Sequence, residues 1–332
     1  MKRKIVEHLK DFLFICFVLF IAFGKLPYNV EMPGGIINLT ERVKIDGQKI
    51  PLKGSFNMAY VSVVQGSIPY ILYGLISNDV DVVKTQDSLL ENETVEEANR
   101  RNKLFLEQSK NAAVLAALKE AEIEYEIKNR KTNVLYIYKD AKTTLEVGDN
   151  IIECNDNKVD SIQDIVKAID SKKIGDTISF KVVRFGKVKK ATAKIIDVKG
   201  EKKINVVSLT TFDIDTLRSV ELDSFATESG SSGGLMMSLM VYSGLTNSDY
   251  TLGKKVAGTG TIDENGKVGE ISGIKYKIIG AVRNKVDIFF VPSDNYKEAL
   301  QVKKEKDYDL KIVKVDSLRE AINYLEGVRN EK

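Results

Sequence analysis

A serine within a glycine-rich segment is the feature of this sequence best suited to chemistry. Residues 228–234 read Glu-Ser-Gly-Ser-Ser-Gly-Gly, and an apolar run follows at 235–242 without a polar spacer. This order predicts a serine at the start of a helix, because flexible Ser/Gly linkers rarely end in an apolar run. A helix N-terminus and neighbouring backbone N–H groups stabilise a developing anion. Either a nucleophilic serine or an anion-binding loop would fit this pattern.

The histidine and cysteine counts restrict what could activate such a serine. The 332-residue chain has one histidine, His8, and two cysteines, Cys16 and Cys154. A Ser-His-Asp triad would need His8, and a zinc site made of His and Cys lacks ligands, so no metal is predicted. Cys16 falls in an apolar N-terminal run, which leaves Cys154 without a disulfide partner. The base of an enzyme would therefore be Lys, Asp or Glu.

A desolvated lysine is a known activator of nucleophiles. The pKa of free lysine is about 10.4, and lowering it to about 7 costs roughly 4–5 kcal/mol, which requires burial. Lys275 is the predicted base because it opens a helix after Gly273 and lies among isoleucines. Lys277, two residues further on, is predicted to point to another face and into solvent. An ordinary solvated surface charge is the alternative for any such lysine.

Composition sets the class of protein. The chain is 43% apolar and 29% charged with a net charge of +3, which excludes wholesale disorder and argues against a nucleic-acid partner. Its length predicts about two domains of roughly 150 residues each. No Gly-x-x-x-x-Gly-Lys-Ser/Thr loop occurs, so neither a nucleotide partner nor any other cofactor is predicted.

The N-terminus predicts a membrane anchor. A basic start at residues 2–4 precedes an uncharged apolar run at 12–24. This run is short for a bilayer core of roughly 30 Å, but flanking apolar residues and snorkelling lysines can extend it. The alternatives are a signal peptide cleaved near residues 22–24 and a buried core helix. The basic flank predicts a cytoplasmic N-terminus, with the rest of the chain in the extracytoplasmic space.

The order of elements predicts two kinds of domain. A juxtamembrane turn at 28–36, strands within 54–84 and a helix from a Thr94–Glu97 capping box to about residue 122 come first. Residues 126–202 then give a strand, Leu-x-x-Gly-Asp-x-Ile, a helix, a Gly-Asp turn and a strand pair. That order resembles a PDZ domain, which captures extended peptides beside a sheet edge. The last third alternates strands and helices, with an Asn-Gly hairpin at 265–266.

Two motifs in the last third resemble Lon-type proteases. The segment Gly-Ser-Ser-Gly-Gly-Leu at 230–235 looks like the Gly-Pro-Ser-Ala-Gly nucleophile motif, and 258–277 looks like the Lon segment that supplies the catalytic lysine. The resemblance implies a Ser232–Lys275 dyad. The implied substrate-binding residues are Gly230, Ser231, Gly233 and Thr259. Ser231 stands in place of Pro and Gly233 in place of Ala, which loosens the turn and offers a second hydroxyl.

Nearly the whole chain resembles the membrane-anchored PDZ–Lon-like serine peptidases of Gram-positive bacteria, the YlbL and SepM type. The implied fold is an α/β (α+β) Lon-type protease domain with an inserted PDZ-like domain and an N-terminal transmembrane helix. The Glu-Gln-Ser-Lys-Asn-Ala-Ala helix at 107–113 resembles the Lon helix before the nucleophile, which favours insertion over three consecutive modules. The expected segments are an anchor (1–27), a juxtamembrane segment (28–53), two protease parts (54–125 and 203–330) and the PDZ-like domain (126–202).

The resemblance implies an ATP-independent, extracytoplasmic serine endopeptidase that cleaves peptides or secreted and membrane proteins. In this interpretation the PDZ-like domain positions or gates the substrate. The alternative is a surface-displayed peptide-binding scaffold with a degenerate protease fold, motivated by the departures at Ser231 and Gly233 and by Ser272, which replaces a glycine before the lysines.

Overall fold

The computed structural model describes residues 2–330, with side chains from His8 onward. The helices are α1 (Lys2–Phe23), α2 (Ile68–Ile76), α3 (Val95–Glu120), α4 (Ile162–Asp170), α5 (Gly234–Leu245), α6 (Ile274–Arg283), α7 (Ser293–Glu305) and α8 (Leu318–Asn330). The strands are β1 (Tyr28–Asn38), β2 (Val43–Ile45), β3 (Gln48–Lys49), β4 (Ser55–Gln65), β5 (Asp81–Lys84), β6 (Tyr125–Ile137), β7 (Asn150–Cys154), β8 (Asn157–Lys158), β9 (Thr177–Arg184), β10 (Lys187–Lys194), β11 (Ile196–Val198), β12 (Glu201–Lys203), β13 (Val206–Thr216), β14 (Val220–Leu222), β15 (Lys255–Gly258), β16 (Thr261–Ile262), β17 (Val268–Gly269), β18 (Ile288–Pro292) and β19 (Lys311–Val315).

The N-terminal helix does not support the predicted transmembrane anchor. Within residues 2–330, no helix combines the length and the apolar character that crossing a bilayer requires. The 22 residues of α1 would span about 33 Å, but charged residues occupy much of its first half, and the uncharged part from residue 12 to residue 23 covers only about 18 Å.

The segment predicted as a juxtamembrane turn forms a strand instead. Tyr28–Asn38 is β1, which pairs antiparallel with β4 on one side and with β5 on the other. A shift in register between Pro33 and Ile36 accommodates Gly34 and Gly35 as a bulge. The Pro-Gly-Gly sequence that predicted a turn therefore bends a strand without ending it.

The main sheet has strand order β19-β18-β15-β4-β1-β5. The pairs from β4 to β19 are parallel, and β1 and β5 add antiparallel strands at one edge. Alternate residues of each strand face opposite layers, as the two-residue period of a strand requires. Phe290 belongs to the core cluster with α3, α5 and α8, and Phe289 to the cluster with α6 and α7.

Helix α5 is the centre of the larger core. Every residue of Gly234–Leu245 is buried, because α3, α8 and the sheet surround it, and a helix enclosed on all sides must be apolar all round. The abrupt apolar run after the serine/glycine segment is thus explained by burial. Its N-terminus carries the predicted nucleophile to the end of strand β15, where the next residue is Thr259.

A second sheet, with strand order β10-β9-β7-β6-β13, has its own core with α4. It contains the segment predicted to resemble a PDZ domain, and the predicted helix cap at Ser161 forms a capping box with Asp164. Strands β6 and β13 are longer than this sheet needs, and they run on as an antiparallel pair to Tyr125 and Thr216. We call this pair the ribbon; it joins the second sheet to the part of the chain that contains α3.

Candidate active site

Ser232 lies immediately before α5, in the turn that starts the helix. Its carbonyl oxygen accepts hydrogen bonds from the backbone N–H of Gly260 (2.8 Å) and from Oγ1 of Thr259 (3.0 Å). The preceding carbonyl, that of Ser231, accepts from Oγ of Ser109 on α3 (3.0 Å). These bonds tie the serine turn to the end of β15 on one side and to α3 on the other. The backbone that carries the Ser232 hydroxyl is therefore fixed on both sides.

The side chain that meets this hydroxyl is Lys277. Its Nζ lies 3.0 Å from Oγ of Ser232 and 3.1 Å from Oγ1 of Thr259. Lys277 is only 3% exposed, and Thr259 is fully buried. Since the Thr259 hydroxyl donates to the Ser232 carbonyl, its lone pairs face Lys277 and fix the position of the amine.

Lys275, the predicted base, does not reach Ser232. Its Nζ lies 3.1 Å from Oδ2 of Asp81, and about a third of its side chain is exposed. The two lysines are two positions apart on α6, which turns them roughly 200° from each other. The prediction that Lys275 contacts the serine is therefore wrong, and so is the prediction that Lys277 is solvated.

The helical pattern of α6 contained the signal that would have found Lys277. Ile274, Ile278 and Ala281 are all completely buried and recur at i, i+4 and i+7. Position i+3 completes such an apolar stripe, and Lys277 occupies it. Proximity in sequence to isoleucines, which favoured Lys275, is a weaker criterion than the face of the helix.

Burial changes the acidity of Lys277. Desolvation lowers its pKa to about 8, and no carboxylate within the described residues hydrogen-bonds to its Nζ to oppose this effect. Relative to the ordinary value of 10.5, the difference corresponds to about 3 kcal/mol that favours the neutral amine. A general base must be unprotonated and within hydrogen-bond reach of the proton that it removes. A neutral amine beside a serine hydroxyl meets both conditions.

Donors for an anion are available next to Ser232. Within residues 2–330, the backbone N–H groups of Ser232 and Gly233 donate to no protein group. Both belong to the turn at the N-terminus of α5, where the helix dipole adds partial positive charge. An oxyanion formed near Oγ of Ser232 would thus find free donors in place.

The remaining predicted residues have distinct positions. Gly230 adopts a left-handed backbone conformation, with a φ of 87°, and its N–H donates to the carbonyl of Asn102 (2.9 Å). At Gly233 a Cβ atom would lie 2.6 Å from Sδ of Met58, so a larger residue there would require this flexible side chain to shift. Gly230 and Gly233 border the same cavity as Ser232, whereas Ser231 borders a different one.

Two cavities flank the serine turn. The first, which we call the Ser232 cavity, has a volume of about 480 Å³ and is lined by β4 and by the segment 225–233. Arg42 stacks on Phe225 and pairs with Glu228 at its rim. The second, which we call the ribbon cavity, has about 490 Å³ and lies between α3, the ribbon and Ser231. A chain that passes over Ser232 would have room on either side.

No metal site accompanies these residues in the described part of the chain. No cluster of three His, Cys, Asp or Glu side chains there could hold a metal ion. Cys154 is buried in the second sheet's core, which raises the pKa of its thiol to about 11. A reactive thiolate is therefore not found in that core.

Comparison with known proteins identifies two domain families in the chain. Residues 220–326 match the family model of the Lon protease (S16) C-terminal proteolytic domain, and residues 130–195 match that of the PDZ domain. Ser232, Thr259 and Lys277 all lie within the first match. The chain thus combines a Lon-type proteolytic domain with a PDZ domain, and both predicted domain types are confirmed.

The similar curated proteins are Lon proteases. That of Neorickettsia sennetsu is 30% identical over 29% of this chain and 11% of its own length, and that of Metamycoplasma arthritidis is 31% identical over 31% and 12%. The enzyme of Campylobacter jejuni is 28% identical over 49% of this chain and 19% of its own. The matches therefore span between about a tenth and a fifth of the relatives' length.

Among solved structures, the PDZ domains of SdrC-like proteins from two Listeria species are similar. The domain from Listeria monocytogenes is 28% identical and covers 25% of this chain and 93% of that chain, with a TM-score of 0.23. The domain from Listeria innocua is 33% identical and covers 24% and 92%, with a TM-score of 0.22.

Proposed function

We propose that this protein is a serine endopeptidase in which Ser232 is the nucleophile and Lys277 the general base. The observation that carries the proposal is the 3.0 Å separation between Oγ of Ser232 and Nζ of a lysine that is 3% exposed. A solvated lysine would hold its proton at neutral pH, but a desolvated one has a lone pair available. The Lon-type proteolytic domain supports the same activity.

Acylation begins with the neutral amine of Lys277, which removes the proton from Oγ of Ser232 as this oxygen attacks the scissile carbonyl carbon. The carbonyl oxygen becomes an oxyanion, which accepts hydrogen bonds from the N–H groups of Ser232 and Gly233. The C–N bond then breaks, and the Lys277 ammonium returns its proton to the leaving amine. An acyl ester on Ser232 and a neutral lysine remain.

Deacylation repeats this sequence with water in the place of the serine. Lys277 removes a proton from the attacking water, the ester carbonyl passes through a second oxyanion, and the proton returns to Oγ of Ser232. Thr259 takes no part in proton transfer in this scheme. Its hydroxyl bridges the Ser232 carbonyl and Lys277, so it keeps the amine within reach of Oγ.

We propose an unfolded peptide segment as the substrate, positioned by the PDZ domain. An extended chain of a few residues fits the cavities beside Ser232, which have volumes near 480 and 490 Å³. Activity outside the cytoplasm also remains a proposal, and it rests only on the basic N-terminus before the apolar run. Protection of the protein from added protease in intact cells would overturn that location.

Labelling with a fluorophosphonate probe at pH 9 tests the nucleophile. The natural protein should form a covalent adduct on Ser232, and Ser232→Ala should lose both the adduct and peptide cleavage while its circular dichroism stays the same. Ser231→Ala is the matched control, because it removes the adjacent hydroxyl and should keep the adduct. Absence of any adduct, together with intact peptide binding, would favour the peptide-binding scaffold over the enzyme.

A further inference from the structure

One strand, β13, borders both a large cavity of the PDZ domain and the cavity bordered by Ser231, the residue before Ser232. Val206, Val207 and Ser208 line a groove of about 1030 Å³, which we call the PDZ groove. Thr210 and Phe212 of the same strand line the ribbon cavity, which Ser231 also borders. Only one residue of the strand, Leu209, therefore lies between the two cavities.

The PDZ groove has the features that an extended peptide needs. Strand β13 is the last strand of its sheet, so one of its edges is unpaired within the described part of the chain. The opposite wall is the apolar face of α4, with Ile165 and Val166 among its residues. An unpaired edge offers backbone hydrogen bonds, and the apolar wall offers pockets for alternate side chains.

The unpaired edge of β13 is interrupted at Phe212. The pairing register shifts opposite Phe212, with the extra residue on β6, and the Asn111 side chain of α3 hydrogen-bonds both backbone groups of Phe212. Its Nδ2 donates to the Phe212 carbonyl (2.9 Å), and its Oδ1 accepts from the Phe212 N–H (3.1 Å). A peptide added along β13 would have to leave the edge near Thr210, directly at the ribbon cavity.

The ribbon cavity is lined to receive such a chain. Phe105, Phe212 and Ile262 provide apolar walls, and Arg130 provides a cation at the rim. Ser109 on α3 connects this cavity to the active site, since its hydroxyl donates to the carbonyl of Ser231. The residue after Ser231 is the nucleophile itself.

We propose that β13 is a guide strand: a substrate segment pairs with its open edge in the PDZ groove, and the continuing chain passes through the ribbon cavity to Ser232. The proposal rests on the peptidase function proposed above. It implies that the distance between the PDZ-bound segment and the scissile bond is nearly fixed. From Ser208 the path is about 7 Å of strand plus a cavity roughly 10 Å across, which about five extended residues span.

A peptide tethered in the groove tests this distance. In a Cys16→Ser background, Val166→Cys places a thiol in the groove, and Val188→Cys places a matched exposed thiol on β10, at the opposite edge of the sheet. A maleimide peptide with one reporter segment is attached through Gly/Ser spacers of about two, six and twenty residues, with r.m.s. lengths near 8, 14 and 25 Å. The buried Cys154 should react slowly, because its thiol is poorly ionised.

The expected result is an optimum at the six-residue spacer for the Val166→Cys tether. Cleavage within the tethered protein should then be at least about tenfold faster than from Val188→Cys, because the tether raises the local concentration only when its length matches the path. Equal rates from both positions, or rates that do not depend on spacer length, would overturn the guide strand. Failure to cleave the free reporter peptide would instead overturn the peptidase proposal.

A variant that fills the cavity gives an independent test. Thr210→Trp should slow cleavage of the Val166-tethered peptide about tenfold by filling the ribbon cavity with an indole. Lys131→Trp, at an exposed position opposite Thr211 on β6, is the control and should change the rate less than twofold. Fluorophosphonate labelling of both variants reports whether the active site is folded. Equal tethered rates in two labelled variants would contradict a path through this cavity.

Discussion

Asp149 of the PDZ domain and Lys277 of the proteolytic domain are both buried charged residues, but their surroundings differ. Asp149 in the PDZ domain is 1% exposed, and Arg184 holds it through two hydrogen bonds of 2.7 Å each. The Glu146 backbone N–H donates to the same carboxylate (2.8 Å). Lys277 is 3% exposed, and its Nζ has only the hydroxyls of Ser232 and Thr259 as partners in the described residues.

This difference separates a buried charge that has an ionic partner from a buried amine that has none within the described residues. For a buried carboxylate with a bidentate guanidinium partner, the ion pair and its hydrogen bonds offset the cost of desolvation. A buried amine without a counter-charge is destabilised as an ammonium, so it loses its proton more easily. Groups whose pKa values are shifted in this way cluster at functional sites.

The largest effect should come from removing the amine. Lys277→Met keeps the length and burial of the side chain but has no lone pair for Ser232, so kcat/KM for a peptide should fall on the order of 10⁴-fold. Lys275→Met is the matched control on the same helix, because it removes an amine of equal charge that pairs with Asp81, and it should cost less than threefold. A larger loss in Lys275→Met would support Lys275 as the base, as predicted from the sequence.

Removing the partner of Asp149 should have the next largest effect. Arg184→Met leaves a buried carboxylate unpaired, and the free energy of unfolding of the PDZ domain should fall by about 3–5 kcal/mol. Urea titration followed by circular dichroism measures this loss, and hydrogen exchange assigns it to the second sheet. A loss under about 1 kcal/mol would mean that the ion pair behaves as a surface pair, and the contrast with Lys277 would disappear.

Replacement of Lys277 should raise the free energy of unfolding, whereas replacement of Arg184 should lower it. The folded-state pKa of about 8 lies below the unfolded value of about 10.4, so the charged amine destabilises the fold fully below pH 8. Lys277→Met should therefore raise the free energy of unfolding at pH 7 by up to about 3 kcal/mol. The gain should shrink as the pH rises from 8 to 10.4, and a gain that does not depend on pH would show that ionisation is not its cause.

The pH dependence of catalysis should show the smallest change. With a pKa of about 8, roughly a tenth of Lys277 is neutral at pH 7 and roughly nine-tenths at pH 9, so kcat/KM should rise about ninefold between them. Measurement of kcat/KM from pH 6 to pH 10 on the natural enzyme checks this. A profile that is flat from pH 6 to pH 8 would contradict a lysine base with this pKa.

Prediction from the sequence succeeded for features whose residues are adjacent in the chain. Ser232 is followed at once by an apolar run, so its location at a helix start could be predicted from adjacent residues. The PDZ domain was recognisable because its turns and its helix follow one another locally. The prediction that Lys275 contacts Ser232 is wrong because proximity to isoleucines does not distinguish the faces of α6, and Lys277 lies on the buried one.

The residue types of this chain by themselves determined that a serine protease here could not use an ordinary histidine triad, since its one histidine lies near the N-terminus. They also determined which segments are buried, because the apolar pattern of α5 requires enclosure. Only the tertiary structure decided that the buried face of α6, which carries Lys277, meets Ser232. The pKa of an amine depends on the water that surrounding elements exclude, and those elements, α5, β15 and α6, come together only in the folded protein.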